Sequence, residues 1–182
     1  MSRCRLLVCL LSCWGLHSSV AAHEEHDTPS RKVAAAEQYR PSPIPDRVIL
    51  TWTGDPATTQ AVTWRTDRST GRGKLEWAVA TDGIEFAKLA QTVTAVSQPL
   101  KTDLGEATCH TVELTELQPK TTYAYRVGDG VNWSEWHQFT TASAQPEPFS
   151  FIYFGDAQND VRSMWSRVLR EAFREAPRAR FF

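Results

Sequence analysis

The feature that most constrains this chain is a series of short period-two runs between Val48 and Thr141, separated by turn residues. Val48, Leu50 and Trp52 alternate with polar neighbours, and Gly54-Asp55-Pro56 then turns the chain. Val62 and Trp64 line one face of the run 60–66. Leu75, Trp77 and Val79 line the next, which Thr81-Asp82-Gly83 closes. Residues 84–96 read as one or two weaker strands of open register. His110, Val112 and Leu114 follow, then Tyr123, Tyr125 and Val127, and lastly 136–141 around Phe139. Each run has one apolar face to bury. Six or seven such strands at roughly ten-residue spacing predict a two-layer antiparallel sandwich.

A different pattern begins at residue 149, in the stretch FSFIYFGDAQ. Phe149, Phe151, Ile152, Tyr153 and Phe154 are apolar on both faces of an extended chain, which suits the interior of a parallel sheet. Gly155 ends the run, and Asp156 and Gln158 follow at once. From Val161 the period becomes helical: Met164, Trp165, Val168, Leu169, Ala172, Phe173 and Ala176 share its face, read as core packing. Asn159 or Asp160 suits the N-cap. The expected fold is therefore mainly β, a sandwich over 45–142 followed by the first β-α unit of an α/β domain over 149–182. Residues 143–148, with Pro146 and Pro148, form a stiff linker between them. Asp156 would then lie at the carboxyl end of a parallel strand, the edge where open α/β sheets bind ligands. On residues alone it is either a turn acid that satisfies backbone donors at a helix start or a hard oxygen ligand. Gln158 reads as a hydrogen-bonding turn residue.

The first 22 residues have the form of an export signal, with Arg3 and Arg5, an apolar core at 6–11 and Val20-Ala21-Ala22 before a cleavage point. That implies a secreted or periplasmic protein. The alternative is a lipoprotein, with Leu10-Leu11-Ser12 preceding a lipidated Cys13, and this is the one route to a membrane partner. Without the leader, 18 Lys and Arg face 21 Asp and Glu, a net charge of −3 that offers no footprint for nucleic acid. Three cysteines lie in the leader, so Cys109 has no internal disulfide partner and reads as a small buried hydrophobe. Residues 23–44 are polar and proline-punctuated, a flexible lead-in whose His23-Glu24-Glu25-His26-Asp27 cluster is a solvated tail. Asn132-Trp133-Ser134 fits the glycosylation acceptor pattern.

Leu117-Gln118-Pro119-Lys120-Thr121-Thr122-Tyr123 resembles the tyrosine corner of fibronectin type III and immunoglobulin-like domains. There a tyrosine hydroxyl, here that of Tyr123, bonds back to upstream backbone; Trp64 resembles the core tryptophan of an early strand. The order VILTWTGDP, AVTWRT, CHTVELTELQPKTTYAYRVGD, WSEWHQFTTA and FSFIYFGDAQ resembles the front of a purple acid phosphatase, within the calcineurin-like metallophosphoesterases. The resemblance implies a phosphate ester substrate and a binuclear centre of iron with zinc, manganese or a second iron. It makes Asp156 the ligand of one metal. Gln158 stands where many relatives have histidine or glycine, so its amide oxygen would ligate weakly or bond to a bound water. The family's remaining ligands fall beyond Phe182, so the chain reads as a fragment, inactive by itself. Two rival readings are a secreted fibronectin-like binding or adhesion module and a phosphodiesterase of the same superfamily.

Overall fold

The computed structural model describes residues 33–103, 105–158 and 161–182. The export signal, the 23–27 cluster and the proposed caps Asn159 and Asp160 lie outside the described residues. Among the described residues there are eight strands: β1 (Asp46–Thr51), β2 (Gln60–Thr66), β3 (Lys74–Val79), β4 (Gln91–Thr94), β5 (Val96–Thr102), β6 (Gly105–Leu114), β7 (Thr122–Gly128) and β8 (His137–Thr140). They form two four-stranded sheets, in the orders β1-β2-β6-β5 and β4-β3-β7-β8. Every pairing is antiparallel. The weak region 84–96 resolves into a short 3₁₀ turn, Glu85–Leu89, and β4; the chain then changes sheet at Ala95 and continues as β5.

Alternation explains the core. Val62, Trp64, Leu75, Val112, Leu114, Tyr123, Tyr125 and Val127 enter from both sheets and bury one another with Leu117. Partly buried Val48, Trp77, Val93 and Phe139 close its margins. The corner forms as its sequence implies: the Gln118 N–H donates to the Tyr123 hydroxyl at 2.8 Å. Edges are blunted. β5 carries Pro99 on an outer strand, and β1 has an irregular register between Asp46 and Ile49, with Arg47 at φ 51°. Arg65 fastens β1 to β2 through Asp46, Nε to Oδ1 at 2.8 Å and Nη2 to Oδ2 at 2.6 Å. That bond chiefly raises the Arg65 pKa, against burial. Cys109 is partly exposed rather than buried.

Part of the lead-in is ordered. Residues Ala35–Gln38 form a single helical turn, α1. The Tyr39 carbonyl accepts from Arg65, and the Ser42 carbonyl accepts from the Asp67 N–H.

The segment after the linker departs from expectation. Residues 149–154 form no regular strand. They nevertheless pair loosely with the end of the chain: Arg180 N–H donates to Ser150 C=O at 2.8 Å, and Ile152 N–H to Phe181 C=O at 3.1 Å. Both partners advance together, so the two stretches run in the same sense, as in a β-α-β unit. Between them lie a π-helical turn, Val161–Trp165, and helix α2 (Ser166–Glu175). No residue of α2 is buried, so the apolar face from Val161 to Ala176, read as core packing, is largely exposed, with Trp165, Ala172 and Ala176 only partly covered. A ladder with one neighbour and one helix leaves the run's apolar faces largely uncovered.

Candidate functional site

Asp156 follows the apolar run after Gly155 and is exposed. Its carboxylate accepts a hydrogen bond from the Gln158 amide, so the structure does bring the two expected site residues together. Among the described residues no group of three or more His, Cys, Asp or Glu is placed to hold a metal ion. One carboxylate and one amide can supply at most three oxygen donors. That suits a single position beside a hard cation and falls short of a binuclear set.

Rings organise the approach to Asp156. Phe149 and Phe151 lie on one side of the extended run and meet Phe181, with Phe151 and Phe181 stacked at 5.1 Å. Phe154 lies on the other side, against Trp165 at 5.2 Å and Phe182 at 6.0 Å. The odd–even separation is that of extended backbone, even without a regular ladder.

The same segment is tied to the sandwich by contacts that the sequence reading missed. Trp52, just past β1, meets Phe181 edge to face at 5.3 Å. Glu147 in the linker accepts from Lys120 at 2.6 Å and lies 3.8 Å from Arg180. The Lys120 hydrogen bond holds the Glu147 carboxyl below its ordinary range, with Arg180 adding to it. The Ala142 N–H reaches Pro56 C=O at 2.9 Å, and the Lys120 N–H reaches Ala142 C=O at 3.0 Å. Trp52, Pro56, Thr141, Pro146, Phe149 and Phe181 help line a cavity of about 300 Å³ at this junction. The available signal was one acid between two prolines, too slight to name its partners.

On the outer face of the second sheet, Arg126 bridges to Glu76 and lies 4.5 Å over Trp133 and 4.8 Å over Trp136. Asn132, the acceptor-pattern residue, donates its amide to Asp129 at 3.1 Å. Burial raises the Asp129 pKa, but the N–H groups of Val131 and Asn132 outweigh it and leave that carboxyl below its usual range.

The family model described as the purple acid phosphatase N-terminal domain matches residues 45–141. The chain belongs to that family. The matched span of this purple acid phosphatase N-terminal domain runs from the residue before β1 to the residue after β8. No curated protein sequence matches the chain. Solved structures similar to it include the chicken CNTN1 FN1-FN3 domains, with 19% identity and a TM-score of 0.41, over 57% of this chain and 31% of that one. A computer-redesigned β-sandwich protein shares 24% identity, with a TM-score of 0.37, over 56% of this chain and 96% of that one. Astrotactin-2, a vertebrate protein, shares 12% identity, with a TM-score of 0.39, over 54% and 21% of the two chains. The match therefore spans about a third of the CNTN1 structure and less of the astrotactin-2 one. No helix among the described residues is long and apolar enough to cross a membrane.

Proposed function

We propose that this chain is the front of a secreted, metal-dependent acid phosphatase, in which the sandwich carries the catalytic segment and Asp156 ligates one ion of a binuclear centre. The family match over 45–141, followed at once by an apolar run ending in Gly155-Asp156, is the observation that carries the reading. Two cations held close together bind a phosphate, supply a hydroxide near neutral pH and offset charge on the leaving oxygen. The chain's own contribution is narrower. Asp156 offers a hard, accessible carboxylate, and the Gln158 amide steadies its orientation. The described residues do not complete a metal set, so phosphomonoester hydrolysis requires ligands beyond this pair.

The test is to isolate the protein from its host with antibodies against residues 45–141, then to measure bound metal and hydrolysis of p-nitrophenyl phosphate at acid pH. Hydrolysis with metal bound is expected. Asp156→Asn, introduced in the gene, should lower it by more than about 10–100-fold, the loss typical of outer partners alone. A host-derived protein that holds no metal and hydrolyses nothing would leave a binding module instead.

A further inference from the structure

His110 is fully buried. It lies opposite Trp64 on β2 and opposite Ser97 on β5. Its ring stacks on Trp64 with centroids 5.3 Å apart, and the backbone of Gly73, leading into β3, covers it so closely that a Cβ there would sit 2.7 Å from the imidazole. Nδ1 lies 2.7 Å from Ser97 Oγ, and Nε2 lies 2.8 Å from Thr66 Oγ1.

The outer partners fix the direction of these bonds. Thr66 donates its single hydroxyl proton to the Asp67 carbonyl at 3.0 Å, so it must accept from His110 Nε2–H. The Gly73 N–H donates to Ser97 Oγ at 3.4 Å, which leaves the Ser97 proton free for Nδ1. The chain therefore reads Gly73 N–H to Ser97 O–H to His110 Nδ1 on one side, and His110 Nε2–H to Thr66 O–H to Asp67 C=O on the other. It holds one neutral tautomer.

We propose that His110 is an acid-sensitive latch between the sheets, whose protonation at Nδ1 breaks this chain at Ser97 and loosens the corner where β4 gives way to β5. That corner hangs on the same glycine, since Gly73 C=O also accepts from the Ala95 N–H at 2.9 Å. An added proton on Nδ1 would require the Ser97 hydroxyl to turn its own proton away. The new charge would face Trp64 and Thr66 from β2, Ser97 from β5 and Gly73 ahead of β3, none of them charged. Arg65 and Cys109 alternate to the other side of β2 and β6, and the Asp67 carboxylate is engaged by Ser69. Among the described residues no carboxylate is placed to compensate the imidazolium.

Burial lowers the His110 pKa from its ordinary 6.5, which fixes the sign. The unfolded chain takes up the proton first, so the latch contributes fully above 6.5 and loses its contribution as the pH falls below that value toward the folded pKa. Within that window the folded-to-unfolded ratio should drop by up to about tenfold per pH unit.

The test uses the full chain. Long-range ¹⁵N NMR of the imidazoles should show His110 as the Nε2–H tautomer, titrating below 6.5. Urea unfolding between about pH 7.5 and 5.5 should show a steeper loss of stability in the wild type than in His110→Gln. Protection factors of the β5 amides, corrected for the slower intrinsic exchange in acid, should fall as the pH drops. Ser97→Ala provides a second variant, and the wild-type NMR decides if neither variant folds. An Nδ1–H tautomer, titration at or above 6.5, or equal pH slopes in wild type and folded variants would overturn the proposal.

Discussion

The sandwich and the segment after residue 148 use similar side chains to opposite effect. Trp64, Tyr123 and Tyr125 are buried within two layers. Phe151 stacks on Phe181 and still stays 54% exposed, and Phe173 on α2 stays 58% exposed. Ring contacts are present in both regions, so contact is not what separates them. Burial of an apolar face requires a second layer, and the sandwich supplies one from its own strands. The 149–182 unit has one loose pairing and one helix, too little to offset the entropy of ordering it.

That contrast can be broken by substitution, and the largest effect should come from the core. Trp64→Ala should destabilise the sandwich by about 3–5 kcal/mol in urea unfolding, whereas Phe173→Ala should stay within about 0.5 kcal/mol. Comparable losses at both sites would erase the distinction. Gly73→Ala should follow, at about 1–3 kcal/mol, because its new methyl meets the His110 and Trp64 rings with no room to shift. Tyr123→Phe should cost about 1–2 kcal/mol by leaving the Gln118 N–H without its partner; an unchanged midpoint would mean that the corner bond contributes nothing. Burial pushes the Tyr125 phenol up to about 12, so ultraviolet titration should find one tyrosine ionising there while the fold persists. The smallest effect is expected at the tether. Glu147→Gln should leave the unfolding midpoint unchanged and speed proteolytic cleavage within 143–148, while unchanged cleavage would show that the Lys120 contact holds nothing.

Much of the sandwich was legible because its period-two runs state which face is buried, and the corner motif states how Tyr123 is held. Strand β4 was blurred and β5 was missed, since an edge strand buries little and β5 carries Pro99, which works against the pattern. The apolar run 149–154 was legible as extended chain but not as chain that pairs only loosely, outside any regular strand. Strand formation depends on neighbours, and sequence periodicity records only the faces. At the site, Asp156 and Gln158 were named from their place after the apolar run and from the family resemblance, while the Lys120–Glu147–Arg180 tether joins residues far apart in the chain and left no local signature. His110 was visible only as a strand residue, because its tautomer is set by groups on two other strands and on Gly73.

Amide hydrogen exchange on the intact chain tests the central contrast most directly, by comparing α2 with β7. Strong protection is expected for Tyr123 to Val127, near the global unfolding limit, and little for Ser166–Glu175, whose helical bonds have no buried face behind them. Equal protection in the two would contradict that expectation, and would mean that the segment after the linker folds as one cooperative unit with the sandwich.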